Sequence, residues 1–426
     1  VRDNTLWGSH MRFVPSAALT LGLLVPGLAM TTTTAADAAA ASCGGLRATI
    51  VGNARANTIE GTDRRDVIVA GDGNDTVRGL GGNDVICGGE GTDRIFGGAD
   101  DDAILGGTDR YWTDRFGLVH KEGDVIDPGA GNDTVDPGYD ARPVSPGIVA
   151  MPDTVTYADA PAAAVVDLRT TPATVGAHGA DTIAVAAGSG LRFVGTAFND
   201  VIRGTYQEDV LIGRGGDDQI YGQDDDDRIL PDGDDSAGAD FVDGGSGGDQ
   251  IVSVAGYDTL LGGPGVDAIS STSLNRLAIK GGSGGDTVTV PVPGESGFQV
   301  VGNSGQDKLR MVAYANPAAF PTVRIDQRKG LTKVTRLQPV AVSGKFQSFT
   351  EVSLPANART IYKGTMKGEV IDAHPDFGAI IKARGGADVI TGSNLRDTLI
   401  GGAGFDIGFG KSGKDRCKLI ERRQSC

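Results

Sequence analysis

Residues 70–105 read AGDGNDTVR, GLGGNDVIC, GGEGTDRIF and GGADDDAIL, four frames of nine that begin at Ala70, Gly79, Gly88 and Gly97. Position six is aspartate in every frame (Asp75, Asp84, Asp93 and Asp102), and position eight is Val77, Ile86, Ile95 or Ile104. Glycine crowds the first positions, where it supplies positive φ and lets backbones approach closely. Positions seven to nine are too short for a helix and centre on an aliphatic residue, which predicts a three-residue strand. Turn plus strand make nine residues, so two frames make a coil and each turn stacks on the one 18 residues away. Stacked strands lie about 4.8 Å apart. Aspartates at that spacing form rows of like charge, which a hard cation with oxygen ligands such as Ca2+ neutralises.

The frame extends in both directions. GTDRRDVIV at Gly61 adds Asp66, and Gly52 begins a degenerate frame with Asn57 in the acidic place. From Gly195 the chain reads GTAFNDVIR, GTYQEDVLI, GRGGDDQIY and GQDDDDRIL, giving Asp200, Asp209, Asp218 and Asp227. From Gly244 it reads GGSGGDQIV, SVAGYDTLL and GGPGVDAIS, giving Asp249, Asp258 and Asp267. A last block from Ala383, ARGGADVIT, GSNLRDTLI, GGAGFDIGF and GKSGKDRCK, carries Asp388, Asp397, Asp406 and Asp415. Isolated copies start at Gly129, Gly281 and Gly302 with Asp133, Asp286 and Asp307, and Gly364 opens a weak frame with Glu369.

These frames resemble the RTX, or haemolysin-type, repeat G-G-x-G-x-D-x-U-x over roughly residues 50–136, 195–290 and 383–418. The resemblance implies an all-β fold, a right-handed parallel β-roll or β-helix solenoid, with multiple Ca2+ ions between turns two frames apart. It pairs Asp66 with Asp84, Asp75 with Asp93, Asp84 with Asp102, Asp200 with Asp218, and Asp209 with Asp227. Asp249 with Asp267, Asp388 with Asp406, and Asp397 with Asp415 complete the pairs. It also implies carbonyl ligands from turn glycines: Gly73, Gly82, Gly89, Gly91, Gly98, Gly216, Gly245, Gly247, Gly402 and Gly404. The competing reading is a metal-free solenoid in which Asp caps its turn by hydrogen bonding the backbone. Frames such as GTYQEDVLI, without glycine at positions two and four, suit it better than GGEGTDRIF.

Composition agrees with a repeat array. The 426 residues include 67 Gly, and aromatics at 5% cannot fill a thick core. Of 55 acidic residues only eight are Glu, an excess of Asp that suits turns and metal loops. A formal charge of −16 argues against nucleic acid and against an anionic membrane surface as partners.

The first residues read as export machinery. Met11 and Arg12 precede an apolar stretch, 13–30, then threonines and an alanine-rich segment to Ser42 with small-residue cleavage options at Ala36 to Ala41. Residues 1–42 are expected to be a start-site extension plus signal peptide. A membrane anchor is the alternative, opposed by Pro15 and Pro26, and no later segment is apolar enough to span a bilayer. In an exported chain the four cysteines are expected as Cys43–Cys87 and Cys417–Cys426, closing the two ends. A zinc site would lack C-x-x-C spacing and a nearby His.

The expected organisation is a first repeat block, 43–136, with an inserted loop 106–123, and a repeat-poor segment, 137–194. A second block, 195–307, a repeat-poor segment, 308–363, and a C-terminal block, 364–426, follow. Residues 152–203 look like the D-T-V-x-Y segment found between RTX blocks, which implies longer strands without calcium; 308–363 reads similarly. Tyr111, Trp112 and Phe116 belong to a covering loop or to a docking site for glycan or protein. The acidic runs 224–227 and 232–235 are expected to be solvated charge. Two G-x-S-x-G matches, 244–248 and 281–285, are repeat turns, and His10, His120, His178 and His374 are scattered, so no catalytic site is expected. The reading is a secreted, extracellular bacterial calcium-binding protein with a structural or interaction role. Alternatives are a secreted polysaccharide- or ester-acting enzyme on a β-helix, or a haemolysin-like toxin, whose upstream apolar helices are missing.

Overall fold

Short strands alternate with glycine-rich turns along the chain, and no α-helix occurs among the described residues. The computed structural model describes residues 41–426 except 110, 114–118, 139–147, 151, 171–172, 177–178, 187, 234–237, 255, 274–275, 292–297, 313–321, 328–330, 336–340, 356–358 and 375. The export segment, His10 and His178 therefore lie outside the described residues.

The 18-residue register is met. Val67 pairs in parallel with Val85 and Val85 with Ala103, while Thr58 pairs with Thr76 and Thr76 with Arg94. Alternate frames build opposite faces of a parallel β-solenoid of about 15 turns. Strands are longer than expected where the next frame opens G-G: Val85–Glu90 has six residues, because Gly71 and Gly89 themselves join the ladder. Where the next frame opens G-T the strand keeps three residues, as in Thr58–Glu60 and Val201–Arg203.

Position eight supplies the core. Ile68, Ile86, Val135 and Ile183 on one face, and Val77, Ile95, Ile126 and Val155 on the other, are wholly buried. One aliphatic side chain per frame fills the space between two close faces, which is why so few aromatics suffice. Ringed side chains enter where the repeat lapses: Tyr157 and Phe193 are buried with ring centroids 5.6 Å apart.

One face is an unbroken series of parallel strands from Thr58–Glu60 to Arg422–Gln424. The other is interrupted twice. Asp181–Ile183 lies beside Thr134–Asp136, Ala173–Val175 runs antiparallel next to it, and Val165–Asp167 returns the sheet to Val201–Arg203. The same reversed meander occurs with Ala341–Gln347, Leu331–Thr335 and Thr322–Asp326, placed between Gln299–Ser304 and Arg359–Lys363. This corrects the expectation of a plain coil with longer strands in 152–203, where the strands have three residues. Without G-G-x-G-x-D nothing turns the chain back within nine residues, so β-prone stretches pair with one another instead.

Both ends are pinned. Ser42–Cys43 and Leu46–Arg47 form a hairpin whose Cys43 packs on Val67 and Val85 and is bonded to Cys87. Cys417 is bonded to Cys426, so no free cysteine remains for zinc. In the inserted loop, Tyr111–Thr113 and Val119–Lys121 pair antiparallel, with Ile148–Ala150 alongside. The side chains of Tyr111, Trp112 and His120, and Phe116 altogether, lie outside the described residues. No helix among the described residues is long and apolar enough to cross a membrane.

Candidate metal centre

The repeat brings its aspartates into continuous buried rows. The N–H of Asp66 donates to Asp84 Oδ1 at 2.7 Å, and that of Asp84 to Asp102 Oδ1 at 2.8 Å. Asp75 donates to Asp93 at 2.8 Å, Asp200 to Asp218 at 2.8 Å, Asp209 to Asp227 at 2.8 Å and Asp249 to Asp267 at 2.9 Å. Asp388 donates to Asp406 at 3.0 Å and Asp397 to Asp415 at 2.8 Å. All eight expected pairs are stacked. One oxygen of each receiving carboxylate thus does what the metal-free reading asked of it, capping the neighbouring turn.

The other oxygen divides the frames into two kinds. Where position two is Thr or Ser, it is used: Thr62 donates from N and Oγ1 to Asp66 Oδ2, each at 2.9 Å, and Thr205 does the same to Asp209 at 2.6 and 3.0 Å. Thr196 and Ser393 serve Asp200 and Asp397, and the N–H of Thr365 serves Glu369. In the frame of Asp258, Ser253 at position one donates its hydroxyl to Oδ2 instead, and in fifteen other members of the rows Oδ2 is buried with no hydrogen-bond partner among the described residues. These are Asp75, Asp84, Asp93, Asp102, Asp133, Asp218, Asp227, Asp240, Asp249, Asp267, Asp286, Asp307, Asp388, Asp406 and Asp415. A buried carboxylate oxygen left without a donor is costly, and so many in register ask for a cation.

The turns are shaped to leave oxygen-lined space. The ten glycines singled out above all have φ between 96° and 148°. A Cβ on Gly245 would overlap the carbonyl oxygen of Gln223, and one on Gly247 that of Asp225, so carbonyls of successive turns point along the stack. At position one, a Cβ on Gly79 would overlap Asp84 Oδ2. Leu80, Arg214, Gln223, Asn303 and Arg384 hold position two with φ of 74–93°, a strain accepted because the coil demands that turn.

Burial and neighbouring carboxylates push the acids up. Asp227 is raised to about 9 by desolvation and then by the charges of Asp209, Asp249 and Asp225; Asp218 is raised to about 8 for similar reasons. Asp102, Asp133, Asp240, Asp267 and Asp388 reach about 7, again chiefly by burial. Two unit charges 4.8 Å apart repel by about 3 kcal/mol at an effective dielectric near 20, so the ionised rows oppose their own fold.

Some expectations are corrected. Asp227 and Asp232, placed among solvated acidic runs, are buried, because one stands at position six and the other folds against the next coil. Four aspartates that the sequence reading left out of the site join the rows. Asp93 donates to Asp124, Asp124 to Asp153, Asp133 to Asp181 and Asp218 to Asp240. Their signal was present: Asp153, Asp181 and Asp240 each stand two residues before a buried aliphatic residue, Val155, Ile183 and Val242. Glu421 ends one row by accepting the N–H of Asp406 at 2.7 Å, and its spacing of 15 gave no hint. Glu369 begins that row, and burial raises it to about 7.

A profile of the RTX calcium-binding nonapeptide repeat, four copies long, matches residues 51–86, 82–110, 194–229, 234–251, 243–273 and 380–417. The chain carries RTX calcium-binding repeats. The matched segments contain most of the open-oxygen aspartates, though not Asp133, Asp286 and Asp307, and the unmatched ones contain both antiparallel meanders. No curated protein matches the chain. The repeats imply Ca2+, which when bound supplies positive charge between carboxylates and accepts six to eight oxygens. The residues fit it: open Oδ2 atoms and turn carbonyls are all-oxygen donors, and thiol and imidazole are missing from the rows.

Proposed function

We propose that this is a secreted, extracellular calcium-binding RTX protein whose β-roll is completed by ions held at the open oxygens, and that its role is one of structure or interaction rather than catalysis. The reading rests on the buried rows in which Oδ1 is spent on the backbone while Oδ2 is not. With all ions removed, the rows carry uncompensated buried charge and the glycine-rich turns have high chain entropy, so ion binding and folding are coupled. Asp75, Asp84, Asp93, Asp102 and Asp133 in the first block, and Asp218, Asp227, Asp249, Asp267 and Asp286 in the second, are the principal ligands in this reading. Asp388, Asp406 and Asp415 serve the third. Asp66, Asp200, Asp209 and Asp397 hold their turns through Thr or Ser.

Circular dichroism of the metal-stripped protein at neutral pH, before and after millimolar CaCl2, tests the proposal. A coil-like spectrum converted to β structure by Ca2+ and not by equal ionic strength of NaCl is expected. An identical, fully β spectrum in both conditions would overturn it.

A further inference from the structure

We propose that Asp232, Asp240 and Asp258 form a divalent-cation site of their own, distinct from the repeat turns because one ligand comes from an insertion between frames. Regular neighbours in a row are 18 residues apart, as in Asp200 and Asp218. Asp218 to Asp240 and Asp227 to Asp249 instead span 22 residues. The extra length follows Leu230, and it places Asp232, which belongs to no position six, against the next coil.

The three carboxylates are 3%, 2% and 1% exposed, and one oxygen from each lies within 4.8 Å of the other two. Oxygens bound to a single Ca2+ at 2.3–2.6 Å lie no more than about 5 Å apart, so one ion spans the group. The carboxylates are held in place independently of any ion. The N–H of Val254 donates to Asp232 Oδ2 at 2.8 Å, that of Asp218 to Asp240 Oδ1 at 2.9 Å, and Ser253 Oγ to Asp258 Oδ2 at 2.5 Å. Asp240 also keeps a buried Oδ2 with no hydrogen-bond partner among the described residues. Asp240 and Asp258 would form an ordinary row step by themselves; Asp232 adds a third negative charge to it. Ligand charge and rigidity set calcium affinity over decades, so this ion is held more tightly than one at a row step of two carboxylates. All-oxygen donors select a hard cation of calcium type over zinc. A comparable trio, Asp109, Asp124 and Asp153, occurs at another insertion, where Asp109 lies within the inserted loop 106–123 and Asp124 directly follows it.

The test is a calcium titration of the metal-stripped full chain against a chromophoric chelator, comparing wild type, Asp232→Asn and the exposed-site control Glu351→Gln. Wild type and control are expected to show a class of ions, this one among them, bound at least about tenfold more tightly than the rest. Asp232→Asn removes one ion from that tight class while the weaker class and the calcium-saturated circular dichroism are unchanged. Wild-type affinity and stoichiometry in Asp232→Asn would overturn this site and leave the repeat-turn reading standing, whereas absence of calcium binding in wild type would overturn both. If Asp232→Asn does not fold at saturating calcium, Asp232→Glu keeps the charge but displaces the oxygens. It is expected to weaken the same ion about tenfold, and unaltered binding would overturn the proposal.

Discussion

Thr205 donates both its N–H, at 2.6 Å, and its hydroxyl, at 3.0 Å, to the same oxygen of Asp209. That oxygen is the one left open in frames without a hydroxyl at position two, such as Asp218 and Asp227. In these frames position two therefore decides whether the second carboxylate oxygen is satisfied within its own turn or left open.

Replacing Thr205 by glycine should accordingly convert a self-satisfied turn into an open one. The expected outcome for Thr205→Gly is about one additional Ca2+ per chain by equilibrium dialysis, with Thr205→Ser unchanged. A stoichiometry equal to wild type in Thr205→Gly would refute the division of frames.

Leu80 occupies position two with φ 81° and is 44% exposed. A left-handed conformation costs a non-glycine residue about 1–2 kcal/mol, partly offset by the entropy glycine brings to the unfolded chain. Leu80→Gly should therefore stabilise the calcium-loaded protein by about 0.5–1 kcal/mol in urea denaturation, the reverse of the usual effect of glycine. Destabilisation would show that the side chain contributes more than the turn strain.

The rows also set a pH dependence. The acids have folded-state values raised above the ordinary 3.8, to about 6 for Asp84, about 8 for Asp218 and about 9 for Asp227. A raised carboxylic acid binds its proton more tightly when folded. Its contribution is therefore fully favourable below about pH 4 and is lost as pH climbs through 6 to 9. Metal-stripped protein should gain β structure as pH is lowered from 9 to 5, followed by circular dichroism, and saturating Ca2+ should remove that dependence. Less β structure at pH 5 than at pH 9 without metal would contradict the burial of the rows.

The two disulfides close loops of very different length, with sequence separations of 44 and 9. On chain entropy alone the first is worth about 4 kcal/mol and the second about 2.5 kcal/mol. Cys43→Ser with Cys87→Ser should lower the unfolding midpoint more than Cys417→Ser with Cys426→Ser, measured at saturating calcium. The opposite order would mean that the C-terminal cap, not the N-terminal one, guards the weaker edge.

Asp75, Asp84, Asp93 and Asp102 were legible as a stacked set because the pattern is local: glycine, aspartate and aliphatic residue each stand at a fixed place in nine. The aspartates outside unbroken frames were not. Asp181 follows Asp133 after 48 residues and Asp124 follows Asp93 after 31, so a fixed period cannot find them. Only the short mark of an Asp two residues before a buried aliphatic residue survives there. The meanders escaped notice because alternating β-prone residues suit antiparallel and parallel pairing equally well.

The chain's order of residues alone determined the coil, its 18-residue register and the column of aliphatic side chains, since each follows from steric and hydrophobic preferences within a single turn. Tertiary structure alone decided which oxygen of each aspartate is consumed, and that Asp232 meets Asp240 and Asp258. The reason is that a carboxylate is aimed by the N–H of a residue one coil away. Coil length changes wherever an insertion enters, and only the folded stack brings those distant donors and charges together.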